Sequence, residues 1–123
     1  MVVLFDSNWE RKLYEFLVAN DVEFEYHPRQ LFYYEYDGKK YRYMPDFRIN
    51  GKFYEVKGDQ FFRFNEETGK EEMFVPWRSK RLTDEQYRWI CRKSEVKHQC
   101  MIANNVTILR GKDIENLSIE MFN

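Results

Sequence analysis

The sequence is poor in cysteine and carries almost no net charge. Its 123 residues include only two cysteines, Cys91 and Cys100, and the formal net charge at pH 7 is −1. Two cysteines cannot build a disulfide framework, and neither lies at metal-ligand spacing from His27 or His98, so we expect reduced thiols that contribute to packing. The small net charge excludes a strongly basic protein. A nucleic-acid surface would therefore have to come from a local cluster of basic residues.

Long apolar runs, internal repeats and low-complexity tracts are absent as well. The sequence therefore offers no membrane-spanning segment, and the opening run MVVLF is too short for the apolar region of a signal peptide. Aromatic residues make up 19% of the chain, which supplies enough apolar area for a folded core although 33% of the residues are charged. We expect one soluble cytoplasmic domain over residues 1–123.

Two segments have the pattern of amphipathic helices. In DSNWERKLYEFLVAND, Ser7 is a candidate N-cap, and Glu10 three residues later completes a capping box. In TDEQYRWICRKSE, Thr83 and Gln86 have the same relation. The tail KDIENLSIEMF predicts no more than a short helical turn.

Alternating apolar and polar residues predict strands around these helices. VEFEY is the first, LFYYEY and KYRYMPDFRI are joined by a turn at Asp37-Gly38, and KFYEV follows a turn at Asn50-Gly51. After the second helix, QCMIA and VTILR are predicted as short strands. Residues 58–80 predict a long loop with a small hairpin at Thr68-Gly69. The core order is αβββαβ, which predicts an α/β (α+β) fold with a mixed sheet flanked by helices.

The Asn50-Gly51 turn brings charged residues together. A two-residue loop fixes the register of the hairpin, so that Asp46 should lie opposite Glu55 with the Cβ atoms about 4.5–5.5 Å apart. Lys57 lies two residues beyond Glu55 and should share its face. Opposed carboxylates destabilise a sheet unless a cation lies between them, and carboxylate oxygens suit Mg²⁺. The hairpin therefore predicts a magnesium site.

Pro45 affects this prediction because it has no N–H to donate to the sheet. The strand should bulge or part at the proline. Pro45 is farther from the turn than Asp46, so a distortion there need not break the pair formed by Asp46 and Glu55. A bulge between Asp46 and the turn would break it.

The same residues resemble a known nuclease motif. Pro45-Asp46, eight further residues, and then Glu55-Val56-Lys57 resemble the motif of the PD-(D/E)XK nuclease superfamily, whose restriction-endonuclease-like core has the order αβββαβ. The stretch FDSNWERKLYEFL followed by YMPDF and EVKG is similar to small phage- and prophage-encoded members, including endonucleases and resolvases. The resemblance covers residues 5–58 well. Beyond them it depends on the order of helices and strands alone.

The resemblance implies a catalytic site and a reaction. Asp46, Glu55 and the main-chain carbonyl of Val56 would bind Mg²⁺, with Mn²⁺ as a substitute, and Glu10 would reach the same ion directly or through water. Lys57 would assist the attacking water and the charge that develops on phosphorus. The reaction would be hydrolysis of a phosphodiester in DNA, with branched or nicked DNA as candidate substrates and a 5′-phosphate as product. The enzyme would act in the cytoplasm of a host cell, as a homodimer or within a larger nucleoprotein complex.

Some of these residues have alternative interpretations. The capping box is a sufficient structural role for Glu10. Basic residues before and on the second helix either contact phosphates of DNA or form a solvated face; they are Arg78, Lys80, Arg81 and Arg88. For the whole chain, the alternative is a non-catalytic module that binds nucleic acid or regulates a partner while keeping the nuclease fold. The small net charge favours that alternative, whereas the opposed carboxylates argue against it.

Overall fold

The computed structural model describes residues 3–123, which form two compact units. The first, the sheet unit, comprises residues 3–30, 44–59 and 105–123, and the second, the hairpin–helix unit, comprises residues 31–43 and 60–104. The elements in chain order are α1 (Asn8–Ala19), β1 (Phe24–Tyr26), β2 (Phe32–Tyr36), β3 (Lys39–Tyr43), β4 (Phe47–Ile49), β5 (Lys52–Lys57), β6 (Phe62–Asn65), β7 (Lys70–Met73), α2 (Asp84–Ala103), β8 (Thr107–Arg110) and α3 (Gly111–Glu115). Single 3₁₀ turns lie at Asp59–Phe61 and Ile119–Phe122.

The sheet unit contains a four-stranded mixed sheet in the order β1-β4-β5-β8. The pairs β1–β4 and β4–β5 are antiparallel, and β5–β8 is parallel. Along the chain, α1, the first three strands of this sheet, α2 and β8 follow one another in the order αβββαβ. The predicted α+β class with a mixed sheet is therefore confirmed. Whether residues 1–123 behave as one domain stays a prediction.

The core of the sheet unit lies between α1 and one face of the sheet. Leu13 and Leu17, four residues apart on α1, are fully buried against strand residues including Phe47 and Tyr54. Glu10 lies three residues before Leu13, so it occupies the same face of the helix. The helix that supplies the core thus also carries one carboxylate into the unit.

The hairpin–helix unit consists of two antiparallel hairpins and α2. The β2–β3 turn contains Asp37 and Gly38, both with positive φ, as the sequence predicted. The β6–β7 hairpin has Gly69 at φ +68 in its turn, so the small hairpin predicted there is also confirmed. Helix α2 packs against β2 and β7. Residues 58–80 are thus more regular than the sequence indicated.

Two predicted strand assignments are wrong. The segment KYRYMPDFRI is divided into β3 and β4, which belong to different sheets, because the chain leaves the ladder around Pro45. The segment QCMIA is the last part of α2, where Cys100 and Met101 are buried. Thr83 and Gln86 form the predicted capping box at the start of α2, but the helix continues to Ala103 because it meets no glycine or proline before Asn104.

Candidate active site

The turn of the β4–β5 hairpin has the predicted register. The paired residues are Ile49 with Lys52, Arg48 with Phe53, and Phe47 with Tyr54. The two turn residues, Asn50 and Gly51, have φ of 50° and 78°, the left-handed conformation that a two-residue hairpin turn of this kind requires. The turn therefore positions β5 as the sequence indicated.

The predicted backbone pair of Asp46 with Glu55 is wrong, because the ladder ends one step earlier. The N–H of Asp46 donates to the carbonyl of Tyr54 at 3.1 Å, although Tyr54 is already the partner of Phe47. Two residues of one strand thus oppose a single residue of the other, which is the defining count of a β-bulge. The bulge lies between Asp46 and the turn, next to Pro45, which cannot donate to the ladder.

The side chain of Asp46 compensates for the lost pairing. Its Oδ2 accepts a hydrogen bond from the N–H of Val56 at 2.8 Å, so the carboxylate occupies the place of a backbone acceptor. Burial raises the pKa of Asp46 well above its usual range, the negative charge of Glu55 raises it further, and Glu10 adds to the effect. The bond from Val56 lowers the pKa but is outweighed. Asp46 therefore lies within electrostatic reach of both Glu55 and Glu10.

The main-chain carbonyl of Val56 is also directed toward this site. In an extended strand, the N–H and C=O of one residue point to the same side. Since the N–H of Val56 bonds to Asp46, the carbonyl of Val56 points past the last β4–β5 pair, on the side where Asp46 lies. This orientation agrees with the expected role of Val56 as a main-chain oxygen ligand.

Glu10 brings the third carboxylate from α1. Its side chain is buried, with 4% of its surface exposed, and Oε2 accepts hydrogen bonds from the hydroxyl of Tyr26 at 2.9 Å and from the N–H of Asp6 at 3.1 Å. Ser7 is the N-cap, as predicted, and its Oγ accepts from the N–H of Glu10. The reciprocal bond of the predicted capping box goes to Asp6 instead of Ser7. The charge of Glu10 also contributes to the raised pKa of Asp46.

Tyr26 holds Glu10 in this position. Burial raises the pKa of the Tyr26 hydroxyl far above its usual value, and the hydrogen bond and charge of Glu10 raise it further. The phenol therefore stays neutral across the physiological range and continues to donate to the carboxylate. The sequence singled out Tyr26 only as the apolar face of a strand, because nothing in the local pattern indicates a partner sixteen residues away.

Glu55 and Lys57 share one face of β5, as predicted. Tyr54 and Val56 belong to the core beneath α1, so strand alternation places Glu55 and Lys57 on the opposite face. Glu55 has only 6% of its surface exposed, and Lys57 is partly buried. The parallel ladder places Lys57 beside Arg110 of β8. The predicted residues Asp46, Glu55, Val56, Lys57 and Glu10 all belong to the sheet unit.

Two further potential ligands were missed by sequence reasoning. Single ligand atoms of Asp6, Glu10 and His27 all lie within 4.8 Å of one another, and among residues 3–123 this trio is the group of three with that property. His27 Nε2 lies 3.6 Å from Asp6 Oδ2. No ligand spacing around His27 was evident in the sequence, because Asp6 and Glu10 are distant from it along the chain. The available signal was weak: Asp6 precedes Glu10 by one helical turn, and His27 follows β1 directly.

The basic residues expected to bind nucleic acid lie in the other unit. Arg78, Lys80 and Arg81 precede α2, Arg88 is on it, and all four are exposed. Arg78 forms an ion pair with Asp84 at 2.5 Å and donates to the carbonyl of Leu82 at 2.9 Å. Their contact with DNA stays a prediction.

Comparison of the chain with models of protein families, with curated proteins and with solved structures found no significant match. In the part of the chain that the structure describes, no helix has the length and apolar character needed to cross a bilayer. The resemblance to PD-(D/E)XK nucleases thus stays a prediction, and the chemistry of the chain must be inferred from its own residues.

Proposed function

We propose that the chain is a divalent-metal-dependent endonuclease that hydrolyses phosphodiester bonds in DNA. The observation that carries this proposal is the position of Asp46 at the bulged end of the β4–β5 hairpin, where its side chain accepts the N–H of Val56 and the charges of Glu55 and Glu10 both raise its pKa. Glu10 and Glu55 are almost fully buried, and Asp46 is partly buried. A buried carboxylate that lies within reach of two other negative charges is costly unless a cation or a proton offsets the charge.

The donor set suits a hard divalent cation. Its members are carboxylate oxygens and the main-chain carbonyl of Val56, and oxygen ligands are the ones that Mg²⁺ and Mn²⁺ prefer. Burial and the charge of Glu55 raise the pKa of Asp46, and a divalent cation beside Asp46 would favour its ionised form. Asp46, Glu55, Val56 and Glu10 would hold the ion, which would supply Lewis-acid stabilisation of the charge developing on the phosphoryl oxygens.

The residues around these carboxylates have distinct roles in the proposal. Lys57, on the same face of β5 as Glu55, supplies a positive charge toward the phosphate and helps to orient the attacking water. Tyr26 fixes the carboxylate of Glu10 through the hydrogen bond to Oε2. The bulge at Asp46 turns that side chain toward Val56 and away from a regular cross-strand pairing.

The proposal includes expectations about substrate and assembly. Branched or nicked DNA is the substrate class to test first, because a protein of 123 residues has little room for a separate base-reading domain. Each copy carries one such site, so cleavage of both strands would require a homodimer or a larger nucleoprotein complex. The expected place of action is the cytoplasm of the cell that carries the gene, which the resemblance implies to be a phage host.

The direct test is cleavage of supercoiled plasmid, nicked duplex and four-way junction DNA with Mg²⁺ or Mn²⁺. We expect cleavage that chelator abolishes, and a loss of at least about 100-fold in rate in Glu55→Gln and in Lys57→Ala. Arg48→Gln is the matched control, because Arg48 is an exposed residue of the same hairpin that pairs with Glu25. Cleavage that persists unchanged in Glu55→Gln would refute the site.

The same experiment separates the proposal from the alternative of a non-catalytic module. Tight binding of DNA by the wild type, with no cleavage of any substrate in Mg²⁺ or Mn²⁺, would favour the module. The net charge of −1 is the observation in its favour, because it gives the whole chain little electrostatic attraction to DNA backbone.

A further inference from the structure

The end of β8 places a second cation beside Lys57. The parallel ladder pairs Glu55 with Ile108 and Lys57 with Arg110. Paired residues of neighbouring strands point to the same face, and neighbouring strands are about 4.8 Å apart. The face of the sheet opposite the α1 core therefore carries Glu55, Lys57 and Arg110 in one short patch.

The side chain of Arg110 is held in a defined position. Nε donates to Oδ1 of Asp59 at 2.8 Å, and only 19% of the Arg110 side chain is exposed. The backbone N–H of Arg110 donates to Oδ2 of Asp113 at 2.8 Å, which fixes the start of α3. The next residue is Gly111, where an added Cβ would lie 3.0 Å from the ring of Trp9 and 3.1 Å from Asp59. The main chain directly after Arg110 is thus tightly packed.

This arrangement suits recognition of a phosphate. A guanidinium carries a permanent positive charge and a planar fork of N–H donors that matches the oxygens of a phosphate. Asp59 is half-exposed, and exposed ion pairs are weak, so a substrate phosphate can compete with Asp59 for the guanidinium. Lys57 would act on the reacting phosphate, and Arg110 is its direct neighbour in the ladder.

We propose that Arg110 binds a backbone phosphate of the nucleic-acid substrate and positions the strand over the carboxylate site. The inference deepens the proposed function and depends on it for the identity of the ligand. Its alternative is structural: Arg110 would serve only to hold Asp59 and the loop after β5.

Two substitutions separate these roles. Arg110→Gln removes the cation, whereas Asp59→Asn removes the negative charge of its partner and leaves the cation in place. Binding of fluorescently labelled nicked duplex is measured by anisotropy in Ca²⁺ over a range of KCl concentrations. The loss of one phosphate contact should make the plot of log association constant against log [KCl] less steep, by about 0.9 for duplex DNA. We expect this lower slope and about tenfold weaker binding in Arg110→Gln, and unchanged or tighter binding in Asp59→Asn.

Arg110→Lys provides a second variant if the glutamine variant folds poorly. It keeps the charge and loses the planar fork, so the salt slope should match the wild type while affinity falls and KM for cleavage rises. Equal weakening by Arg110→Gln and Asp59→Asn with an unchanged slope would overturn the inference and assign a structural role. DNA binding without any cleavage, but with the lower slope in Arg110→Gln, would refute the nuclease proposal and keep the phosphate contact.

Discussion

The replacement Asp46→Asn should stabilise the protein in the absence of divalent ions. In the native state, burial and the neighbouring Glu55 and Glu10 raise the pKa of Asp46, whereas in the unfolded chain its pKa is about 3.9. At pH values between the unfolded and the native pKa of Asp46, the native state binds more protons than the unfolded state. The free energy of unfolding therefore falls as pH rises from about 4. Asparagine has the same shape, needs no proton, and can still accept the bond from Val56.

The size of this effect follows from the proton balance. If Asp46 stays fully protonated in the native state at pH 7, the cost is about 1.36 kcal/mol for each pH unit above 3.9, which gives at most about 4 kcal/mol. Asp46 is partly exposed and shares charge with its neighbours, so we expect a gain of about 1–3 kcal/mol for Asp46→Asn at pH 7. Calorimetry in chelator should then show a melting temperature higher by roughly 3–10 °C.

Three comparisons test this reasoning. The stability gain of Asp46→Asn should shrink as pH falls toward 4. Asp46→Ala should not show this gain, because the buried N–H of Val56 would lose its acceptor. Excess Mn²⁺ should raise the melting temperature of the wild type and not that of Asp46→Asn. A loss of more than about 1 kcal/mol for Asp46→Asn in chelator at pH 7 would show that the ionised carboxylate is a structural element, contrary to the argument.

Two further substitutions test how the site is held. Tyr26→Phe removes the hydroxyl bond to Glu10 and should weaken Mn²⁺ binding, measured by titration calorimetry, by about 10–100-fold; an unchanged affinity would show that Glu10 is not a ligand. Gly51→Ala should cost about 1–2 kcal/mol in urea denaturation, because Gly51 has φ +78 and no atom within 4 Å of the added methyl group; an unchanged free energy of unfolding would show that the left-handed conformation of Gly51 is not required.

The parts of the site that the sequence predicted are those set by local chemistry. The turn Asn50-Gly51 fixes the hairpin register because both residues tolerate positive φ, and Ser7 marks the start of α1 because its hydroxyl can accept a helix N–H. Alternation then places Glu55 and Lys57 on one face. These features depend only on residues a few positions apart.

The parts that the sequence could not predict depend on distant partners. The bulge at Asp46 involves Tyr54 on the partner strand and the N–H of His27, which donates to the carbonyl of Asp46 at 2.8 Å. The hydrogen bond from Tyr26 to Glu10 and the position of Arg110 beside Lys57 arise from sheet topology. The extent of α2 was predicted wrongly for another reason. The apolar residues of QCMIA form a buried part of a helix, and a short apolar run does not by itself distinguish a helix from a strand.

The parallel pairing of β5 with β8 has a consequence for synthesis of the protein. The two strands are separated by about 50 residues, so β5 waits without its neighbour while the intervening chain leaves the ribosome. A nascent chain that has emerged only to residue 103 can close the β4–β5 turn, but it lacks one edge of the sheet and the arginine at its end. The proposed cleavage site would then be complete only after translation has passed residue 110, so an incomplete copy would lack the proposed activity.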